Sequence, residues 1–365
     1  MLSFDSFIEQ YIAQPQLQIN TSDEALSSPR LLIREARRRG WVVEDLTGGL
    51  VRFRSGEHIL GGANYGISSI SSQFAITTCN RKHAAKAAFA KSGLPIANGK
   101  YFKVKDKEQA KDYFMASSLP LVIKSSTGSM GDSVSVGLRT EDDFERGWMK
   151  AQKGLKPSSI IIIEEQTRGI DIRAYVVAGK MVAAASRVPA FVVGDGSLSV
   201  ESLFDQLIAA RKTNAYMRSL PVNVDLDWLQ TQGVKQNSVL ESGRVLTLNQ
   251  TANTHQGASN FGITDLLSPA LASLAERAAG AIPGANAVGI DLMIESLDDA
   301  SGAVILEANA SGSLLLHHYP AYGSSVDVAK EILDVMERQY WTLNRNSIAP
   351  IINNSNDDLG SYEAR

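Results

Sequence analysis

The chain has 365 residues, with 36 Lys and Arg against 39 Asp and Glu, which gives a formal net charge of -3 at pH 7. At roughly 150 residues per domain, this length predicts two or three domains. Charged residues form 21% and hydrophobic residues 44% of the chain, which excludes a globally disordered protein. The near-neutral balance argues against a protein that coats nucleic acid or an anionic membrane, and we expect neither as a partner.

The single cysteine, Cys79, cannot form an internal disulfide, which is typical of proteins of the reducing cytoplasm. No apolar run approaches the ~18 residues that a membrane span needs. Acidic residues within the first ten positions argue against a signal peptide. We therefore expect a cytoplasmic protein.

Hydrophobic periodicity and turn residues predict the elements in chain order. The first part of the chain is predicted to hold helices at 4–13, 28–39 and 81–91 and short strands at 41–46, 50–54 and 58–60. From residue 119 onward the predicted strands are 121–124, 134–137, 160–164, 172–177, 181–187, 245–248, 287–294 and 303–308, and the predicted helices are 141–152, 199–211, 268–281 and 326–338. Strands arranged mostly as hairpins, with helices between them, indicate an α+β fold rather than a regular parallel sheet. Residues 342–365 show no sustained period and are predicted to form a frayed tail.

The segment 287–309 predicts a hairpin whose polar turn is centred near Asp299. Residues equidistant from that centre face each other, so Asp291 and Glu307 are expected to be cross-strand neighbours, with Asn309 on the same face. Like charges repel at that spacing, so the pair needs a cation, and all-oxygen ligands suit Mg²⁺. The alternative, a hairpin whose acids face water, fits less well because the flanking residues are apolar. Glu307→Gln is expected to preserve the fold, since it relieves repulsion, and to weaken the metal site.

Lys124 ends an apolar strand and enters a loop rich in glycine and hydroxyl residues, SSTGSMGDSVSVG. Such a loop suits phosphate binding through its backbone N–H groups, although an ordinary turn fits the loop alone about as well. Neither GxxxxGK[ST] nor GxGxxG occurs in the chain.

A third segment, residues 160–187, begins with four isoleucines that predict a buried strand. Glu164 to Thr167 follow with hydrogen-bonding backbone groups that are expected to be free. Asp171, Arg173 and Tyr175 alternate on one face, and a turn near Gly179 is expected to bring Arg187 across from Asp171. The paired arginines indicate either structural salt bridges or an anion site, and the sequence pattern does not decide between them.

The remaining motifs give no support for covalent catalysis. The chain lacks a GxSxG elbow, and its five histidines show no HExxH or other metal-ligand spacing.

Taken in order, these elements resemble an ATP-grasp ligase over roughly residues 70–340. The likeness is strongest to the ATP-grasp part of cyanophycin synthetases and bifunctional glutathione synthetases. It rests on Lys82 before a helix, Lys124 on a strand, the glycine-rich loop, the EExxxG stretch from Glu164, the RVPAFVVGDG stretch from Arg187, and the final set Glu307, Asn309, His317, Tyr319 and Pro320.

The resemblance implies an α+β ATP-grasp fold, in which two α+β subdomains grip ATP, with a reduced N-terminal α/β lobe. The implied divisions are a substrate-side lobe at 1–78, an ATP-grasp domain at 79–341 (flap subdomain about 95–165, metal-binding subdomain about 166–341) and a tail at 342–365.

It also implies a role for each matching residue. The implied ATP-binding residues are Lys82, Lys124, Ser126, Gly128, Ser129, Gly131, Glu164, Glu165, Gln166, Thr167 and Asp171. The implied metal ligands are Asp291, Glu307 and Asn309. The implied catalytic residues are Lys124, Arg173 and Arg187, and the implied substrate-binding residues are Arg187, Arg218, Asn253, His255 and His317.

The implied activity is ATP-dependent joining of a carboxylate, from an amino acid or small peptide, to an amine through an acyl phosphate, with release of ADP and phosphate. The implied cofactors are ATP and Mg²⁺, with Mn²⁺ as an alternative, and the partners are small-molecule substrates; related ligases often self-associate, and we expect a homodimer. A peptide or dipeptide ligase of specialised metabolism is the expected function. The alternatives are a glutathione-synthetase-like or cyanophycin-synthetase-like ligase and a nucleotide-binding protein without turnover.

One segment departs from the family pattern. The relatives carry an arginine pair before an Asn-x-Ser-Thr-Gly-Gly stretch, where this chain has Asn249 and Gln250, and His255-Gln256-Gly257 replaces Ser-Thr-Gly. The loss of two cations predicts a preference for neutral over polyanionic substrates.

Overall fold

A computed structural model describes residues 4–12, 18–128, 133–249, 252 and 257–344. The chain begins with α1 (Phe4–Phe7), which continues as a π-helical segment (Ile8–Ile12) where an α-helix to residue 13 was predicted. The next elements are α2 (Ser28–Arg38), β1 (Val42–Asp45), β2 (Leu50–Ser55), β3 (His58–Asn64) and β4 (Ile67–Ser68). These four strands form an antiparallel sheet in the order β1-β2-β3-β4.

A second sheet lies in the middle of the chain. Its region contains α3 (Gln73–Cys79), α4 (Lys82–Lys91), β5 (Gly99–Lys103), α5 (Lys107–Met115), β6 (Leu121–Ser125), β7 (Val134–Leu138), α6 (Glu141–Gln152) and β8 (Ile160–Glu165). The strands pair in the order β5-β8-β6-β7, all antiparallel. Helix α6 has the predicted bounds because Thr140 and Asp143 form a capping box at its start.

The third region contains the largest sheet. Its elements are β9 (Ile170–Val177), β10 (Lys180–Val188), β11 (Phe191–Val193), α7 (Val200–Arg211), α8 (Leu226–Thr231), β12 (Val245–Thr247), β13 (Ser259–Gly262), α9 (Pro269–Gly280), β14 (Ala287–Ile294), β15 (Val304–Asn309), α10 (Leu315–His318), β16 (Tyr322–Gly323) and α11 (Val328–Asn344). Six strands pair in the order β15-β14-β9-β10-β13-β16, and β11 pairs with β12. Helix α9 packs on one face of the six-stranded sheet, in a core that also includes Phe7, Ile8 and Ile12. Helix α11 packs on the other face together with α2.

The predicted α+β fold is confirmed, and the predicted divisions are crossed by packing in two places. Helix α3 spans the boundary predicted at 78/79, and the first residues pack into the core of the six-stranded sheet. Helix α11 continues to Asn344, past the start predicted for the tail at 342, and residues 345–365 lie outside the described part. Among the described helices, none has the length and apolar character to span a bilayer.

Candidate active site

The hairpin of β14 and β15 has the predicted register. Asp291 is the Cα partner of Glu307, and a bulge follows Asp291. The Asn309 side-chain nitrogen donates to Glu307 Oε1 at 3.1 Å and to Asp291 Oδ2 at 3.3 Å. The predicted metal set is therefore brought together on one face of the sheet.

Arginines from the neighbouring strands neutralise Asp291. Arg173, its Cα partner on β9, donates to both carboxylate oxygens at 2.6 and 2.7 Å, and Arg187 on β10 lies 3.5 Å away. Burial raises the pKa of the Asp291 carboxyl, but attraction by Arg173 and Arg187 outweighs it, so the pKa lies below its usual value. Arg187 also binds Asp171 at 2.5 Å, as the predicted turn requires. The arginine pair is thus part of a salt-bridge network, and Arg187 keeps about a fifth of its side chain exposed.

Lys82, the first residue of α4, joins this network to the glycine-rich loop. Its ammonium lies 2.7 Å from Glu307 Oε2 and donates to the carbonyl of Gly128 at 3.2 Å. Its backbone N–H donates to the carbonyl of Ser126 at 2.8 Å, and the His83 ring nitrogen Nδ1 contacts the Ser126 hydroxyl. Gly128 has φ +108°, a conformation that favours glycine. The loop after β6 is therefore attached to the start of α4; Ser129 and Gly131 lie outside the described residues.

Glu164 is held between two lysines in the interior. Its carboxylate lies 2.5 Å from the Lys124 ammonium and 3.0 Å from that of Lys86, and the three residues are 4%, 7% and 1% exposed. Burial raises the pKa of Glu164, but the two lysines outweigh it and the net shift is downward. Burial lowers the pKa of Lys86 against the attraction of Glu164. The cluster holds two lysines and one acid, so a positive charge remains when all three groups are ionised, which favours an anion nearby.

Sequence reasoning missed Lys86. A signal was present, because Lys86 follows Lys82 by four residues and therefore shares one side of α4. The partner of this buried lysine was not predictable from local pattern, since Glu164 lies on a strand far along the chain.

The backbone after β8 differs from the prediction. The N–H of Glu165 donates to the carbonyl of Asn98 at 2.8 Å, and the N–H of Gln166 donates to that of Pro120 at 3.0 Å. These two donors are therefore not free for a ligand, because the backbone at 98 and at 120 lies beside the end of β8. Thr167 is half-buried.

The predicted substrate residues are placed unequally. His317 is buried, and its ring meets Tyr175 edge-on with centroids 5.8 Å apart. Burial, with smaller contributions from Arg173 and His318, lowers the pKa of His317 to about 3. Arg218 is exposed and donates to the carbonyl of Asp23 at 3.3 Å; among contacts between described residues, none joins it to the network. Asn253 and His255 lie outside the described part of the chain.

The oxygen donors suit a hard divalent cation. Glu307 receives one donor on each oxygen, which leaves lone pairs on both for a metal. Asp291 Oδ1 receives Arg173 alone, whereas Oδ2 receives several donors. In the described residues no group of three or more His, Cys, Asp and Glu is placed to bind a metal. The set of two carboxylates and an amide therefore needs further oxygens, as when substrate phosphates share a metal.

The fold is ATP-grasp. The structure of a bifunctional glutathione synthetase from Pasteurella multocida matches 86% of this chain and 44% of that protein, with a TM-score of 0.63 at 20% identity. At this identity the likeness establishes the fold alone. No model of a known protein family matches the sequence.

Sequence comparison identifies relatives of the predicted kind. The chain is 30% identical to a cyanophycin synthetase of Crocosphaera subtropica over 280 residues, which cover 74% of this chain and 32% of that protein. It is 22% identical to a glutathione biosynthesis bifunctional protein of Clostridium perfringens over 326 residues, which cover 85% and 41%. The chain thus spans about a third to two-fifths of these relatives' length. The suspected resemblance to the ATP-grasp parts of these two groups is confirmed.

Proposed function

We propose that the chain is an ATP- and divalent-metal-dependent ligase that joins a carboxylate to an amine through an acyl phosphate and releases ADP and phosphate. The observation that supports this most is the continuous charged network from Lys82 through Glu307, Asn309 and Asp291 to Arg187. In this network cationic side chains contact carboxylate and amide oxygens beside an ATP-grasp sheet, as the proposed chemistry requires. Substrates are small molecules, and a peptide or dipeptide ligase is the activity we favour.

In this proposal the nucleotide lies between the four-stranded sheet β5-β8-β6-β7 and the six-stranded sheet. The residues assigned to it are Lys82, Lys86, Lys124, Ser126, Gly128, Ser129, Gly131, Glu164 to Thr167 and Asp171. Their lysines hold the phosphates, and the loop after β6 covers them. The divisions at about 95–165 and 166–341 then correspond to the two halves of the grip, and the segment 1–78 forms the substrate side.

Asp291, Glu307 and Asn309 would hold Mg²⁺, and Mn²⁺ is the alternative. When bound, the metal neutralises charge on the transferring phosphoryl group. Lys82 forms an ion pair with Glu307 in this structure, so the lysine has to share or release that carboxylate when the metal binds.

The chemistry uses no protein nucleophile. A substrate carboxylate oxygen attacks the γ-phosphorus, the bond to ADP breaks, and an acyl phosphate forms. The amine nitrogen then attacks the acyl carbon, phosphate leaves with the bonding electrons, and the amine loses a proton. Both arginines are bonded to carboxylates, Arg173 to Asp291 and Arg187 to Asp171. Arg187 is better suited to the transferring group because its side chain is 20% exposed, against 11% for Arg173. Closure of the loop would keep water from the acyl phosphate.

A nucleotide-release assay tests the proposal. Purified protein with ATP, Mg²⁺ and paired amino acids is expected to release ADP only when both an acceptable carboxylate and an amine are present, and mass spectrometry identifies the amide. Arg187→Gln is expected to abolish release, and Arg146→Gln, at an exposed arginine of α6, is a matched control that keeps it. Release of AMP would instead indicate an adenylating enzyme.

Three alternatives are distinguished by the same assay. γ-Glutamylcysteine with glycine tests a glutathione-synthetase-like activity, and an aspartate-rich peptide with arginine tests a cyanophycin-synthetase-like one. ATP binding without ADP release for every pair would indicate a nucleotide-binding protein without turnover. The homodimer and the cytoplasmic location stay predictions, and gel filtration checks the first.

A further inference from the structure

The first turn of α4 is capped by a residue that lies outside the helix. Arg81, at the N-cap position, makes no side-chain cap bond within the described part of the chain, and the first N–H groups of a helix have no partner inside it. Ser126, on the loop after β6, supplies two acceptors. Its carbonyl accepts the N–H of Lys82 at 2.8 Å, and its hydroxyl accepts the N–H of His83 at 3.3 Å. The loop and the helix are therefore joined through this one residue.

The His83 ring makes a third contact with the same residue. Its nitrogen Nδ1 meets the Ser126 hydroxyl, whose oxygen already accepts the backbone N–H of His83. The hydroxyl proton is therefore available to be donated to Nδ1, which assigns the ring proton to Nε2. Ser126 is 1% exposed, so the loss of this acceptor would leave a buried hydroxyl without its partner, which is costly.

The surroundings of His83 favour this neutral, accepting form of the ring. The ring is half-buried beside β5, where it meets Tyr101 edge-on with centroids 6.1 Å apart. Burial, and to a smaller extent the charge of Arg81, lowers the pKa of His83. A neutral imidazole can accept the hydroxyl proton at Nδ1, whereas an imidazolium cannot.

The contact between His83 and Ser126 lies among the groups assigned to the nucleotide. The ammonium of Lys82, the preceding residue, donates to the carbonyl of Gly128 at 3.2 Å. Lys86, one turn further along α4, pairs with Glu164 on β8. Residues 126–128 are thus fixed relative to both lysines by the start of α4. Loss of the ring contact would allow this stretch to shift relative to them.

We propose that His83 is a positioning residue of the nucleotide site, which holds the Ser126 hydroxyl and so keeps residues 126–128 against the start of α4. This inference deepens the proposed function and rests on it, because it concerns the same site. A binding stretch that is held in place before the ligand arrives has less to lose in conformational entropy on binding. His83 therefore contributes to ATP affinity through Ser126.

The test is calorimetric titration of the whole chain with Mg²⁺ and the non-hydrolysable β,γ-imido analogue of ATP, and with AMP as the second ligand. His83→Leu is expected to weaken binding of the analogue about five- to tenfold, and that of AMP by less than about twofold, because AMP carries only one of the three phosphates. His83→Asn keeps an acceptor close to the position of Nδ1 and is expected to restore most of the affinity. Lys91→Leu places the same apolar side chain at the exposed end of the same helix and is expected to bind like the natural chain.

Ser126→Ala removes the other half of the contact and provides a second test if His83→Leu fails to fold. Because the two side chains act through one contact, Ser126→Ala and the double variant are each expected to bind the analogue about as weakly as His83→Leu. Unchanged binding in either single variant, additive losses in the double variant, an equal loss for AMP, or no rescue by His83→Asn would overturn this inference and leave the proposed function standing. Absence of analogue binding to the natural chain would overturn the proposed function as well.

Discussion

The Lys82 ammonium lies 2.7 Å from the Glu307 carboxylate, so the start of α4 is joined directly to the end of β15. On the adjacent strand β14, Asp291 is likewise neutralised by a cation, the guanidinium of Arg173 on β9. The repulsion expected from the facing carboxylates is therefore already compensated by cations of the chain itself. A metal that binds at this hairpin therefore has to displace Lys82 and Arg173 from the carboxylates or share the carboxylates with them.

Glu307→Gln is expected to abolish ADP release while it changes the free energy of unfolding little. The neutral amide removes one of the two negative charges of the proposed metal set, and the lost ion pair with Lys82, whose side chain and that of Glu307 are 13% and 23% exposed, contributes about 1 kcal/mol. We therefore expect a small loss of stability in Glu307→Gln. Relief of the repulsion between Asp291 and Glu307 alone would have predicted a gain. Urea unfolding and the nucleotide assay measure both effects. Glu295→Gln, at an acid of the same hairpin outside the network, is the matched control; full activity of Glu307→Gln would remove Glu307 from the site.

Glu164→Gln is expected to destabilise the fold severely. It leaves Lys86 and Lys124 buried close together without their shared carboxylate, and removal of one partner from a buried ion pair costs about 3–5 kcal/mol. The neighbouring variant Glu165→Gln, whose residue is less buried and accepts only a 3.4 Å bond from Asn98, is expected to unfold at nearly the urea concentration of the natural chain. Equal midpoints for the two variants would show that the lysines do not depend on Glu164.

The local sequence pattern was sufficient to predict strand pairing where the two strands are neighbours in the chain. The β14–β15 hairpin was predictable because its two strands are consecutive in the chain and their register follows from the centre of the turn. The Asp171–Arg187 contact depends on a β-bulge. The bulge between Met181 and Ala183 adds one residue to β10 and so shifts its register with β9 by one. Arg187 therefore follows the Ser186–Ile172 pair and lies across from Asp171. The position of that bulge was not readable from the sequence.

Non-local and exposed elements were missed. Strand β5 is mostly exposed and has no clear alternation, so only its pairing with β8 defines it. The buried lysine pair at Glu164 arises because β6 and β8 are neighbours and because Lys86 of α4 reaches Glu164 on β8, which is a property of the tertiary fold. Hydrophobic period cannot specify such contacts.

His317 is expected to make stability depend on mildly acidic pH. An unfolded histidine binds a proton below about pH 6.5, whereas the folded His317 stays neutral down to about 3. The contribution of neutral His317 to the free energy of unfolding is therefore fully present above about pH 6.5. It is lost as the pH falls from about 6.5 to about 3. His317→Phe retains a ring and cannot titrate. Between about pH 7 and about pH 5.5, its free energy of unfolding is expected to fall by about 1 kcal/mol less than that of the natural chain. Parallel losses, measured by urea unfolding at each pH, would show that His317 becomes protonated in the folded protein.

Asn249→Ala is expected to affect stability rather than substrate choice. Asn249 is buried, and its side-chain nitrogen donates to the carbonyl of Asn223 at 2.8 Å. The alanine variant leaves that carbonyl without this donor, which costs about 1–3 kcal/mol. Asn237→Ala, at an exposed position, is the control and is expected to be neutral. A changed ratio of ADP release with acidic and neutral amino-acid pairs in Asn249→Ala would place this residue in the substrate pocket.

Gln250→Arg is expected to shift substrate preference toward acidic amino acids. The prediction rests on the sequence, since Gln250 occupies a position where the resembled family has an arginine and lies outside the described residues. An arginine there would supply the charge-assisted partner that a buried substrate carboxylate requires. Gln250→Met keeps a side chain of similar length without a charge and separates the effect of charge from that of shape. The measurement is the ratio of ADP-release rates with acidic and with neutral pairs in all three proteins. We expect a rise in Gln250→Arg alone, and an equal ratio in all three would place this segment outside the substrate pocket.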